Sequence, residues 1–316
     1  MRWLTVLLLF FLFVPMGAMA AEQSVAVTFD DLPFAAVPRE DDAYLSAMTR
    51  KLMDGLRESS VPVVGFVNEK KLYVNGKIDQ DRIELLRTWV QAGFDLGNHT
   101  YSHFSIDKIS LEMFESDFLN GEIVSRQLMK ESGRPLRWFR HPYLDVGKSN
   151  EEIVEFHNFL TARGYTIAPV TINSSEWIFA IAYVKAQGDM IMAQQIGEAY
   201  ISYMNDVFAW AEKMTIGLFG RPIPQVLLLH ANSLNADYFV QLAAMIRKRG
   251  YRFVTLDEAL KDPVYFKSLH VTGEDGESWL ERWSREAGLR PPRPPSVPRF
   301  VLQRAGHVAS SMDRDY

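Results

Sequence analysis

The sequence predicts an α/β fold, a distorted (β/α) barrel of about seven parallel strands with an extra helical segment and a C-terminal extension. Three observations point there. Short apolar runs alternate with amphipathic stretches of helical period, the pattern of parallel strands covered by helices. Hydrophobic residues make up 47% and charged residues 23% of the 316, a globular balance that excludes disordered, collagen-like and coiled-coil classes. Finally, polar residues capable of chemistry recur where the strand-like runs end, as they do in barrel enzymes.

Met1-Arg2 is a short basic start, Trp3 to Val14 is an apolar run interrupted only by Thr5, and Ala18-Met19-Ala20 is a small-x-small cleavage signature. This layout reads as a secretory signal peptide over residues 1–20. The run is shorter than the ~20 residues that span a bilayer, so a cleaved leader is expected, with no stable membrane anchor. The expected location is secreted or periplasmic.

The elements then follow in order. Residues 25–29 read as a buried strand. Residues 42–58 read as a helix with Leu45, Met48, Leu52 and Leu56 on one face. A strand at 61–67 is followed by a helix at 81–92, which stops at Gly93, and by a short strand at 94–96. The spacing then predicts a helix over 111–131, a strand over 136–139, a helix over 150–163 and a strand over 165–172. A strand at 225–229, a helix at 236–249 and a strand at 251–255 complete the alternation.

These elements define a catalytic domain over 21–267, interrupted by a helical insertion at 187–218. In that insertion Ile196, Tyr200, Tyr203, Val207, Trp210 and Met214 recur at three- and four-residue spacing. The pattern reads as one or two helices packed on the barrel, with a lid or dimer face as the alternative. The extension at 268–316 carries prolines at 291, 292, 294, 295 and 298, which read as an extended arm.

Charge and cysteine content narrow the function. Lys and Arg total 34 against 39 Asp and Glu, a net charge of −5. That balance lacks the basic field of a nucleic-acid binder and does not favour anionic membranes. With no cysteine, disulfides, thiolate metal sites and cysteine nucleophiles are excluded.

Four short motifs carry candidate chemistry. Thr28-Phe29-Asp30-Asp31 places two carboxylates at the end of a buried strand, where they need compensating charge or serve as turn residues. His99-Thr-Tyr-Ser-His103 places two imidazoles four apart, on one side if the segment is helical, among only seven histidines. Arg140-His141-Pro142-Tyr143 follows the apolar Trp138-Phe139, and His230 ends the run Leu227-Leu228-Leu229. If the strands close, the four can share one centre. Asp31, His99 and His103 would then make a three-ligand divalent metal site, with Zn(II) the best match and Co(II) or Ni(II) also served. Asp30 would remain as general base and His230 as general acid, the equipment of metal-assisted hydrolysis.

In this ordered set the chain resembles the polysaccharide deacetylases, carbohydrate esterase family 4, over roughly residues 25–260. The resemblance implies a distorted (β/α) barrel, a carbohydrate substrate, and removal of N-acetyl groups from chitooligosaccharide, peptidoglycan or exopolysaccharide. It implies Asp31, His99 and His103 as metal ligands, Asp30 as base and His230 as acid. It also implies Arg140 as the residue that holds the base, and Tyr143 as the donor of a backbone N–H to the oxyanion. An O-acetyl ester or a small amide is an alternative substrate on the same scaffold, and a non-catalytic glycan-binding protein is a further alternative.

The sequence departs from the family pattern at Leu32-Pro33, where Gly-Pro is usual, and at Arg140-His141-Pro142, where Arg-Pro-Pro is usual. Asn173-Ser-Ser-Glu176-Trp177 only loosely matches the family's Asp-x-x-Asp-Trp, whose first Asp in many members supports the arginine and the histidine acid; with the uncharged Asn173 that support is weakened or comes from elsewhere. Trp138, Trp177 and Phe34, with Tyr143, lie beside the motifs, where aromatic rings either stack on sugars or pack the barrel rim.

Overall fold

A computed structural model describes residues 23–267, 272 and 276–306. The signal-peptide reading at 1–20 and parts of the extension (268–271, 273–275 and 307–316) lie outside the described residues. The chain forms β1 (Gln23–Leu32), α1 (Asp42–Glu58), β2 (Val63–Val67), a small hairpin of β3 (Tyr73–Val74) and β4 (Lys77–Ile78), α2 (Gln80–Gln91) and β5 (Asp95–Asn98). Next come α3 (Leu111–Asn120), α4 (Ile123–Glu131), β6 (Trp138–Phe139), α5 (Asn150–Ala162), β7 (Thr166–Ile167), α6 (Glu176–Lys185) and α7 (Met190–Phe219). The chain continues through β8 (Gln225–His230), α8 (Ser233–Lys248), β9 (Tyr251–Phe253), α9 (Leu256–Ala259), α10 (Trp279–Glu286) and α11 (Arg299–Ala305).

Seven strands form one curled sheet in the order β7-β6-β5-β2-β1-β8, with β9 also against β1. Every pairing in it is parallel. Beyond β7 the chain turns back, and Ile172 bridges to Leu227 of β8, which curls the sheet into a barrel-like trough. Side chains alternate along β1. Val25, Val27 and Phe29 enter the large core under the helices, whereas Ala26 joins Val64, Phe66, Trp138 and Val226 in a second cluster. By the same alternation Thr28 and Asp30 share the face of Ala26. The strand register then pairs Asp30 with His230, neighbours on β1 and β8.

The helices follow their apolar stripes. In α1 Leu45, Met48, Leu52 and Leu56 are buried, and the side chain of Asp41 caps its N-terminus by accepting from the Tyr44 N–H, an interaction worth about 1 kcal/mol. The single helix expected over 111–131 is two, broken at Gly121. A Cβ on Gly121 would lie 2.4 Å from the carbonyl carbon of Thr100, so the break lets the histidine loop approach. The strand expected over 165–172 is regular only at Thr166–Ile167. Helix α6, over an apolar stretch without a clear stripe, was not expected from the sequence, and α7 covers most of the 187–218 segment. Residues 276–306 pack on this body: the Trp210 indole N–H donates to the Pro292 carbonyl at 2.9 Å and the Lys185 ammonium to Ala305 at 2.6 Å. No described helix is long and apolar enough to cross a membrane.

Candidate metal and acid–base centre

The four motifs meet at the C-terminal ends of the strands. One ligand atom each from Asp31, His99 and His103 lies within 4.8 Å of the others. Asp31 Oδ1 is 3.4 Å from His103 Nε2 and 3.7 Å from His99 Nε2. Tetrahedral metal–ligand bonds of about 2.0–2.1 Å imply ligand–ligand separations of about 3.3–3.4 Å, so the cluster is close to coordinating dimensions.

The donors are also chemically ready. His99 Nδ1 lies 2.8 Å from the Arg140 carbonyl, which can only accept, so the proton is on Nδ1 and the Nε2 lone pair faces Asp31. Burial, with the neighbouring His103, keeps His99 well below its ordinary pKa, and burial lowers His103 too. Burial would raise the Asp31 carboxyl, but Lys71, His103, His230 and His99 hold it well below the usual carboxylate range. Asp31 Oδ1 is buried and accepts no hydrogen bond. Two neutral imidazoles and a carboxylate oxygen of this kind fit a divalent metal.

The two histidines converge by a different route from the one the spacing suggested. Residues 99–103 form a loop and no helix. Thr100 and His103 both have left-handed φ, 64° and 59°, and these turns bring the rings within 4.8 Å centroid to centroid. The Tyr101 N–H donates to the Asp117 carbonyl at 3.0 Å, and the Ser102 N–H to the Asp117 carboxylate at 2.9 Å. Asn68 and Lys70 hold the same loop at the carbonyls of His99 and Tyr101. Lys71, in the same turn, reaches Asp31: its ammonium donates to the Asp31 carbonyl at 3.0 Å and lies 3.4 Å from Oδ2.

Asp30 is buried beside the cluster, 3.8 Å from His99 Nε2 and 3.7 Å from the fully buried Arg140 guanidinium. Burial pushes its pKa up to about 6, against the pull of Arg140 and His230. Arg140 stacks on Phe66 at 4.7 Å and donates to the Thr28 hydroxyl at 2.9 Å, so a strand residue below Asp30 fixes its fork.

His230 is one-fifth exposed, at 20%, and its Nδ1 lies 2.8 Å from Glu176 Oε2. Burial lowers the His230 pKa, but that bond, the Glu176 charge and the two aspartates outweigh it and raise the pKa to about 9. Asn232 and Asn235 both donate to Glu176 Oε1, at 2.5 and 2.8 Å. The support that Asn173 cannot give as a charge therefore comes from Glu176, the most important site residue not singled out in the sequence. Its signal was the loose motif ending in Trp177. Asn173 instead donates to the Gly276 carbonyl at 2.6 Å.

Tyr143 is 54% exposed, with its ring edge-on to His103 at 4.5 Å. Of the three other aromatics, Trp177 is 38% exposed. Trp138 and Phe34 are buried, at 3% and 5%, under the guanidinium groups of Arg137 and Arg82. Neither offers an open ring face, which fits the rim-packing alternative for these two. His141, the departure in the arginine loop, is buried against Phe139 and Phe156, and burial with Arg282 and Arg140 drives its pKa down to about 3.

Residues 18–162 match the polysaccharide deacetylase family model. The chain resembles that family, and its curled parallel sheet is the family's (β/α) barrel fold. Among solved structures it is similar to the chitin deacetylase of the fungal pathogen Colletotrichum lindemuthianum, with 20% identity, a TM-score of 0.50, and 75% of this chain and 87% of that one covered. It is also similar to a family 4 acetyl xylan esterase from Clostridium thermocellum in complex with a cobalt ion (18% identity, TM-score 0.45, covering 75% and 90%). A third is a family 4 pseudoenzyme from Bacillus anthracis (12% identity, TM-score 0.48, covering 76% and 66%). At 20% identity the likeness to the chitin deacetylase is one of fold. No curated protein matches the sequence.

Proposed function

We propose that the protein is a metal-dependent hydrolase that removes N-acetyl groups from a glycan, acting as a secreted or periplasmic enzyme. The observation that carries this reading is the convergence of Asp31, His99 and His103 beside Asp30 and His230, a carboxylate and an imidazole whose pKa values are both raised, to about 6 and about 9, so that near neutral pH the first can accept a proton and the second can give one. The leader-like residues 1–20 support the location. Asp31, His99 and His103 would hold the ion, with Zn(II) the best match to two imidazoles and a carboxylate and Co(II) or Ni(II) able to serve. A bound divalent ion supplies Lewis acidity toward the acyl carbonyl and the attacking water.

The remaining steps belong to the chain. Asp30 takes the proton of the attacking water, and Arg140 keeps its carboxylate in place. The Tyr143 backbone N–H donates to the developing oxyanion. His230, protonated and held by Glu176, delivers a proton to the departing nitrogen, which would otherwise leave as a strongly basic amide anion. The exposed ring of Trp177 is the candidate platform for a sugar.

The reading is tested by acetate release from chitooligosaccharides, peptidoglycan fragments and O-acetylated xylan. Release from an N-acetylated substrate supports it. Release from the xylan alone moves the assignment to an O-acetyl esterase, and release from none moves it to a binding protein.

A further inference from the structure

The C-terminal extension is built into the loop that presents Tyr143. Tyr143 and Leu144 are consecutive non-glycine residues with left-handed φ, 57° and 60°. A left-handed φ strains any residue with a Cβ, so the surroundings of both must over-determine it. Those surroundings come partly from the far end of the chain. The Gly276 N–H donates to the Tyr143 carbonyl at 3.0 Å. Arg282 donates to the Leu144 carbonyl at 2.8 Å across 138 residues of sequence.

The clamp is itself anchored to the barrel. Asn173 donates to the Gly276 carbonyl at 2.6 Å, and the Trp279 N–H donates to the Val170 carbonyl at 2.7 Å. Arg282 is fully buried, and the nearby charges of Glu277, Asp145 and Asp107 offset the cost of burying its cation there. Asp145, next along the loop, is buried as well and accepts from the Ser105 hydroxyl at 2.5 Å, which ties the same loop to the segment after His103.

We propose that residues 276–286, and Arg282 above all, are positioning residues of the reacting centre, clamping the Tyr143 and Leu144 carbonyls so that the Tyr143 N–H keeps its direction. The inference rests on the reading of Tyr143 as the oxyanion donor. With both carbonyls held, the loop cannot relax toward the right-handed region, and the donor stays preorganised.

The test uses the full chain, with Arg282→Lys, which keeps the charge but loses the planar fork, and the milder Asn173→Ala, which frees the Gly276 carbonyl. Hydrogen–deuterium exchange is followed over residues 141–147, alongside kcat, KM and zinc affinity. The clamp predicts faster exchange in that segment alone, kcat lower by about ten- to a hundredfold, and KM and zinc affinity within about twofold of wild type. If Arg282→Lys does not fold, Asn173→Ala carries the test. Unchanged exchange in a folded variant overturns the clamp, and faster exchange with unchanged kcat overturns its catalytic role. A wild-type protein that releases no acetate overturns the functional reading, and the exchange result then decides separately whether the clamp exists.

Discussion

Glu176→Gln isolates the role of the buried carboxylate behind His230. Glu176 Oε1 accepts from two asparagine amides, and Oε2 faces His230 Nδ1 at 2.8 Å. A glutamine must keep its oxygen toward the asparagines, which turns its own N–H groups toward Nδ1. That arrangement favours the neutral ring protonated on Nε2. The His230 pKa, about 9 with Glu176 in place, then falls to or below the ordinary 6.5, because burial now acts with little opposition. At pH 7.5 a pKa of about 9 leaves roughly 97% of the ring protonated, whereas 6.5 leaves roughly 9%, so kcat drops about tenfold. The sign follows from the role: an acid is active below its pKa, so the basic limb of the kcat profile moves down by about two units or more and activity recovers as pH falls. Acetate release measured across pH, with zinc affinity checked alongside, reads this directly. Profiles that superimpose for wild type and variant would refute the assignment of His230 as acid and Glu176 as its support.

Three further outcomes follow from the same geometry. Gly121→Ala forces a Cβ to 2.4 Å from the Thr100 carbonyl carbon, and a loss of about 1–3 kcal/mol in denaturant unfolding is expected, with weaker zinc binding as the histidine loop shifts. His141 is buried neutral, with its pKa lowered to about 3, so the unfolded chain binds the proton first as pH falls. Stability is therefore full above the unfolded value of 6.5, falls between there and about 3, and loses about 2 kcal/mol between pH 7 and 5 from this residue. Urea titrations at both pH values should show that difference shrink in His141→Leu. Removing the Lys71 ammonium, 3.4 Å from Asp31 Oδ2, by Lys71→Met leaves the second carboxylate oxygen free, and a changed Co(II) absorption spectrum is the expected signature of altered coordination.

Much of the site was legible because each motif closes a strand or a strand-like run. Alternation along β1 and its register with β8 make Asp30 and His230 neighbours, and local patterns carry that information. What the sequence hid depends on long-range packing. The spacing of the histidine pair would put both on one side of a helix, yet two left-handed residues make the segment a loop held by Asp117 and Asn68. The break at Gly121 answers the approach of that loop, which no propensity within 111–131 reveals. Trp138 and Phe34 stand beside motifs in sequence but point into packed surroundings. Glu176 carries no strand-end signature, because it reaches His230 from the first turn of α6 across 54 residues of sequence.

The most direct test of the whole account is acetate release from an N-acetylated glycan by chelator-stripped protein, before and after zinc is restored, with Asp30→Asn and Asp31→Asn in parallel. The account predicts no release when stripped and recovery at one zinc per chain. Asp30→Asn should keep the zinc and lose turnover by about a hundredfold or more, and Asp31→Asn should lose both. Undiminished release by the stripped protein, or by Asp30→Asn, would contradict it.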